Sequence, residues 1–358
     1  MSIKQIHYSI DNIDKENANY NLIYGEKSNG KSYAVKHKAI YNYLNTGNRF
    51  ILLRRWKEDI TNLWIEQYFA DVDVEKITDK KYNCITCYRK VLYFSIYDVN
   101  TGKTQRIEKI GYVMALSTEQ HMSSASFLDV DLIIFEEFMQ RGNYIPNEPD
   151  RLMILYSTID RKRGTTKLYL VGNSISRVCP YINAWGLDKI FRKLEQGQIE
   201  TLIIKNEENT VKIAIEYCKA SGGKTMAIGF GSSMIDKGSW QTFPQPKLPK
   251  SIKEYERLFQ FGFQFKGFKF LCDLLKDKKK YDLAWFIYPY YEDFDDKIIV
   301  FSDIIKTSPL WQRDIYNISI KNEKLKNLFQ TFKEDKIFYS SDLCGTDFKQ
   351  VIDFSIRR

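Results

Sequence analysis

The chain has 358 residues, 44% of them hydrophobic and 15% aromatic, with a formal net charge of +9 at pH 7. That size predicts one large and one small folded unit; no apolar run nears the roughly 18 residues of a membrane span, and the polar stretch Met1 to Asn21 is not signal-like, so a soluble intracellular protein is expected. Six scattered cysteines and three histidines fit free thiols in a reducing compartment and argue against structural zinc or a histidine-based catalytic centre.

Asn21-Leu22-Ile23-Tyr24 is a short apolar strand that turns through Gly25-Glu26-Lys27-Ser28-Asn29-Gly30 into Lys31-Ser32. This is a complete G-x-x-x-x-G-K-[ST] match, set between a predicted strand and a helix predicted over Lys31 to Leu44. The two glycines let successive N–H groups converge on the β- and γ-phosphates of a nucleotide, with the helix N-terminus aimed at them. Lys31 is then the phosphate contact and Ser32 a magnesium ligand, so ATP and Mg2+ are the expected ligands. Lys27, a second cation in the loop, is a candidate γ-phosphate contact. Two other Gly-Lys-Thr triplets, ending at Thr104 and Thr225, carry Tyr97 and Cys218 where the leading glycine is needed, and read as turns.

Arg49 to Leu53 predicts a buried strand running into Arg54-Arg55. Residues just past the carboxyl end of a parallel strand face the ligand crevice, so Arg54 or Arg55 can lie near the nucleotide, with Arg54 taken as the candidate, and one of the two is structural. Tyr82 to Gly111 alternates as an inserted hairpin, and Val113 to Ser117 is the next short strand. Asp131-Leu132-Ile133-Ile134-Phe135 then runs into Glu136-Glu137. Beside a phosphate loop the first carboxylate helps hold the hydrated magnesium and the second polarises the attacking water. The usual first residue is Asp, so which glutamate does which stays open. A helix over Glu148 to Ile159 leads to the basic turn Asp160-Arg161-Lys162-Arg163-Gly164, from which an arginine can serve a neighbouring subunit. Lys167 to Ser174 is a third apolar strand; its Asn173 is a candidate γ-phosphate sensor, or a cap.

In this order and spacing, Gly25–Ser32, Leu53-Arg54-Arg55, Ile133–Phe138, Asn143–Glu148, Arg161 and Gly172-Asn173-Ser174 resemble the DNA-packaging ATPases of small short-tailed phages, compact relatives of terminase large subunits. The resemblance covers roughly residues 1–190. It implies an α/β, additional-strand P-loop ATPase of the RecA/FtsK type, with Arg161 as an arginine finger in trans. It further implies a homomeric ring, a pentamer in that family, acting on double-stranded DNA at the portal of an empty capsid in the host cytoplasm, with a packaging RNA as a further partner. No membrane is involved.

Beyond Tyr181, the mixed Ile190–Ile215 and the glycine-rich Ser221–Gly238 predict a linker or lid, followed by Pro244, Pro246 and Pro249 as a boundary. The expected division is residues 1–190 for the ATPase domain, 191–243 for the lid and 244–358 for a smaller α+β domain, which the resemblance makes a degenerate RNase H-like unit. Strands are expected over Tyr255–Phe270, Tyr281–Tyr288 and Lys297–Phe301, and helices over Glu323–Phe332 and Phe348–Ile356. Gln245 to Lys280 holds ten basic residues against four acidic ones, interleaved with Phe259, Phe261, Phe263, Phe265, Phe268 and Phe270. That composition suits either a polyanion-binding patch or a solvated face over a strand-rich core. Asp273, Asp282, Asp295 and Asp303 do not have the spacing of a two-metal cluster, so a surface docking nucleic acid or capsid protein is expected here rather than a nuclease. Two rivals to a translocating ATPase remain: a terminase-like motor that also cuts DNA, and a P-loop nucleotide switch without sustained turnover.

Overall fold

A computed structural model describes residues 7–122, 126–142, 144–205, 210–222, 239–240, 242–265, 267–295, 297–302, 311–312, 323 and 336–356. The chain forms two compact units, the first built from 1–174, 189–227 and 232–239, the second from 175–188, 228–231 and 240–358.

The first unit contains α1 (Asp11–Lys15), β1 (Tyr20–Gly25), α2 (Lys31–Thr46), β2 (Arg49–Arg54), α3 (Asn62–Phe69), α4 (Val74–Ile77), β3 (Cys84–Tyr88), β4 (Val91–Asp98), β5 (Lys103–Ala115), β6 (Val130–Glu136), α5 (Glu148–Asp160), β7 (Lys167–Asn173), β8 (Gln198–Lys205) and β9 (Thr210–Tyr217). Its strands make one nine-stranded sheet in the order β3-β4-β5-β2-β6-β7-β1-β9-β8. The central strands β2, β6, β7 and β1 are parallel. They read as unbroken apolar runs because both faces are covered, and Leu22, Ile23, Leu52, Ile134 and Leu170 are fully buried. Strand β7 lies between β1 and β6, so an extra strand separates the phosphate-loop strand from the carboxylate strand, as the additional-strand reading requires.

The hairpin and the short strand expected after it are continuous. Strand β5 pairs antiparallel with β4 from Lys103, then parallel with β2 from Gly111 to Ala115. At the change of partner a Cβ on Gly111 would stand 2.6 Å from the Phe50 carbonyl oxygen, so only glycine allows the approach. A larger difference concerns the expected lid at 191–243. Residues Gln198–Lys205 and Thr210–Tyr217 form a hairpin that extends the main sheet, with β9 parallel to β1. Charged residues on the outer strand β8 hide this from a reading of composition. Most of Ser221–Gly238, Asn143 and all but Glu323 of Glu323–Phe332 lie outside the described residues.

The second unit holds β10 (Tyr255–Phe265), β11 (Phe268–Asp277), β12 (Leu283–Pro289), β13 (Ile299–Ser302), β14 (Trp311–Gln312), β15 (Ile337–Tyr339) and α6 (Asp342–Ile356). An antiparallel meander β10-β11-β12 is extended beside β10 by parallel β13 and β14, the strand arrangement of an RNase H-like sheet, with β15 added along β12. The period-2 pattern of β10 sends Phe261, Phe263 and Phe265 to one face, where they pack with Phe270, Trp285 and Phe348. The aromatic half of the expected polyanion patch is therefore core. Several of its cations are paired as well: Lys247 with Asp342, Lys250 with Asp277 and Lys269 with Asp293. Among the described residues no helix is long and apolar enough to cross a membrane, and no disulfide joins the six cysteines.

Candidate nucleotide site

All four central parallel strands end on one edge, and the site assembles there. Strand β1 delivers Gly25, the loop Glu26–Gly30 follows, and α2 begins at Lys31. Gly30 caps the helix at φ 96°, a left-handed conformation that glycine adopts without strain, and Asn29 Oδ1 accepts from the Lys31 amide at 3.3 Å. The N-terminus of a 16-residue helix thus opens on the loop, where its dipole favours an anion. Gly25 is close-packed, since a Cβ there would approach that of Cys218 to 3.0 Å. Lys27 and Ser28 are exposed, and Asn29 is buried.

Lys31 is almost wholly buried, and its Nζ turns back on the loop. It donates to the Glu26 carbonyl, to Asn29 Oδ1 at 3.0 Å and to Asn173 Oδ1 at 3.3 Å. Burial pushes its pKa down, while Cys218, Glu136 and Glu26 oppose that shift. These neutral acceptors hold the ammonium against the loop and the end of β7. The Glu26 carboxylate points the other way and accepts from the Ser221 amide and, at 3.0 Å, from its hydroxyl.

Ser32 Oγ donates to Glu136 Oε2 at 3.0 Å, and the Tyr68 hydroxyl donates to Glu136 Oε1 at 2.7 Å. A hydroxyl and a carboxylate this close are a pair of hard oxygen donors, the donor chemistry that magnesium prefers, and the residues fit the ion. Burial raises the Glu136 pKa against the hydrogen bonds from Tyr68 and Ser32 and the charge of Arg54. Glu137 differs in every respect. It is half exposed, sits at φ 59° and meets Arg54 Nη2 at 3.1 Å. A left-handed non-glycine residue at a strand end stores strain, and here it accompanies the turn of the carboxylate to Arg54.

The two arginines separate cleanly. Arg54 pairs with Glu137 and lies 4.9 Å from the Trp64 ring centre. Arg55 is buried and forms a bidentate pair with Glu148 at 2.8 and 2.9 Å, while also donating to the carbonyls of Glu137 and Phe138. It fixes the backbone that follows the two glutamates. Asn173 ends β7 against Lys31.

Arg161 is not brought to this edge. It is the C-cap of α5, in the turn before β7, and the seven residues of that strand span about 20 Å from Lys167 to Asn173. Arg163, the other arginine of the turn, is consumed by backbone carbonyls. The sequence reading did not include Tyr68, Arg55–Glu148 or Glu26–Ser221 as working contacts. Each joins positions far apart in the chain, and nothing in the spacing around Tyr68 marks it.

Comparison with known proteins agrees with this architecture. The profile of the podovirus DNA encapsidation protein (Gp16) family matches residues 2–202. The DNA packaging protein of Bacillus phage phi29 is 29% identical over 187 residues, 50% of this chain and 51% of that protein. The corresponding protein of Bacillus phage B103 is 31% identical over 176 residues, 47% of this chain and 48% of that one. The chain thus spans about half the length of the curated relatives it matches. A chain of the bacteriophage Phi-29 viral genome packaging motor assembly has the same fold, with a TM-score of 0.56 at 18% identity, covering 97% of this chain and 99% of that one. Since the matching profile takes in more than half of the residues, the phosphate loop and both glutamates among them, the chain belongs to the podovirus DNA encapsidation protein (Gp16) family.

Proposed function

We propose that this chain is an ATPase that assembles as a ring and couples hydrolysis to the movement of double-stranded DNA into an empty phage capsid. One observation carries the reading: Lys31, Ser32, Glu136, Glu137 and Asn173 converge at the carboxyl edge of one sheet, around the N-terminus of α2. Its relatives include proteins called DNA packaging proteins, and its fold is that of a chain in a genome packaging motor.

On this reading Lys31 exchanges its three oxygen contacts for the phosphates of ATP. Ser32 and Glu136 would hold magnesium, which would supply neutralisation of the charge developing on the phosphates. Tyr68 keeps Glu136 oriented, with its pKa kept well above the usual tyrosine value by burial. Glu137 takes the proton of the attacking water, and Arg54, 3.1 Å away, aims that carboxylate. Asn173 reports whether the γ-phosphate is present, and exposed Lys27 is a further contact for it.

Arg161 lies beyond the end of β7 opposite Asn173, and on this reading it serves the site of a neighbouring copy in the ring. A pentamer docked at the portal vertex, a packaging RNA and a location in the host cytoplasm belong to the same proposal. On this reading the second unit serves docking: of the four aspartates considered there, Asp273 is held by Gln260 at 2.7 Å and by Tyr288 at 3.3 Å, and Asp303 lies outside the described residues. The test is protection of added DNA from nuclease by the full chain, empty capsids and ATP. Protection that needs hydrolysable ATP supports the motor. Steady ATP turnover without protection refutes translocation, and metal-dependent nicking of plasmid by the chain alone refutes the docking role of the second unit.

A further inference from the structure

We infer that the turn from Asp160 to Thr166 is a preorganised presenter for Arg161, and that Arg163 is its positioning residue. The inference rests on the proposed role of Arg161 at a neighbouring copy's nucleotide.

The turn is anchored at both ends. Arg163 Nη1 donates to the Leu128 carbonyl at 2.7 Å, and Nη2 donates to the carbonyls of Val130 at 2.6 Å and Ile159 at 3.0 Å. Its Nε donates to the Asp160 carbonyl at 2.9 Å. One planar, always-charged group thus joins the last turn of α5 to the amino end of β6, a geometry that lysine cannot reproduce. The buried Asp160 carboxylate accepts from the amides of Gly164 at 2.8 Å and Thr166 at 3.0 Å, closing the turn from inside.

Between these anchors Arg161 sits at φ 48° and Lys162 at φ 63°. Both side chains are exposed. Two successive non-glycine residues in the left-handed region are strained, and strain of this kind persists only where the surroundings over-determine the backbone. Asp160 and Arg163 are those surroundings. The effect is to fix the direction in which the Arg161 side chain leaves the surface, so that less freedom is lost when its guanidinium meets charge developing on a phosphate.

The experiment uses full-length chains under conditions where copies associate, with ATP and magnesium. Arg163→Ala is expected to lower kcat by about 10²-fold, the scale of a small misplacement of a working group, with KM for ATP within twofold. Arg163→Lys is expected to remain near the alanine rate. Mixing Arg163→Ala chains with Glu137→Gln chains restores turnover, because the first keeps an intact site and the second lends a correctly held Arg161. A merely structural Arg163 would damage its own site too, and absence of recovery overturns the proposal. Lys162→Gly, which relieves the strain, is expected to raise Tm while lowering kcat; a parental kcat in that variant also overturns it. If Arg161→Ala is inactive and Arg163→Ala is fully active, the presenter fails and the role of Arg161 stands. If Arg161→Ala keeps the parental rate, the underlying role fails instead.

Discussion

The two glutamates that end β6 show how one step along a strand separates two chemistries. Glu136 stays in the pleat, buried between Ser32 and Tyr68, and Glu137 swings into the left-handed region and faces Arg54. Glu137→Gln keeps shape and hydrogen bonding but cannot take a proton, so ATP binding should persist while kcat falls by roughly 10²-fold or more; single-turnover kinetics with bound ATP will show it. Lys31→Ala removes the charge-assisted phosphate contact and is expected to abolish most nucleotide affinity along with turnover, as equilibrium binding of ATP will report. Glu216, buried beside the phosphate-loop strand and hydrogen-bonded by Tyr8 at 2.7 Å, has a pKa pushed up to about 7 by burial. A carboxyl raised in the folded state binds its proton more tightly there than in the unfolded chain. Its contribution is therefore fully present below the unfolded value near 4.5 and is lost as pH rises to about 7. Glu216→Gln should then stabilise the protein at pH 8 and flatten Tm between pH 5 and 7.

Elements are held in place here by a few long-range polar contacts rather than by their own sequences. The Arg55–Glu148 pair, with both side chains essentially inaccessible, fastens the end of β2 to the first turn of α5, and Glu148 also accepts from the Ile145 amide at 2.8 Å. Glu148→Ala leaves a buried guanidinium without its counter-charge and is expected to cost about 3–5 kcal/mol, read from denaturant unfolding. Replacing both partners with apolar residues of similar volume should recover most of that loss, which separates an uncompensated charge from a lost contact. Strand β9 does similar work on the other side of β1: Cys218 packs against Gly25, and Ser221 holds Glu26.

For the molecule as a whole, the proposed substrate is a polymer of every sequence, and phosphate contacts carry no base information. Affinity for duplex DNA should fall steeply with salt and show no preference for a short sequence; a preference surviving high salt would instead indicate a site-specific binder. Charge pairing in the second unit lowers what can be expected of it as a general polyanion surface. Lys247, Lys250 and Lys269 already face carboxylates.

Several features follow from local sequence alone. A glycine-framed loop, a helix start and a four-residue apolar run before two glutamates are set by backbone sterics and by neighbours one turn or one pleat away, so the P-loop core, the third strand with Asn173 and the helix before Arg161 could be read directly. Strand β9 could not, because its partner β1 lies nearly two hundred residues earlier, the separation seen between Glu26 and Ser221. Nor could sequence separate Arg54 from Arg55, since the choice depends on Glu148 in a distant helix, or Arg161 from Arg163, since the latter is tied down by carbonyls of β6 and its approach. The phenylalanines of β10 make the same point. Their alternation fixes that they share a face, but only packing against α6 decides that this face is interior, because burial is a property of what a second element covers.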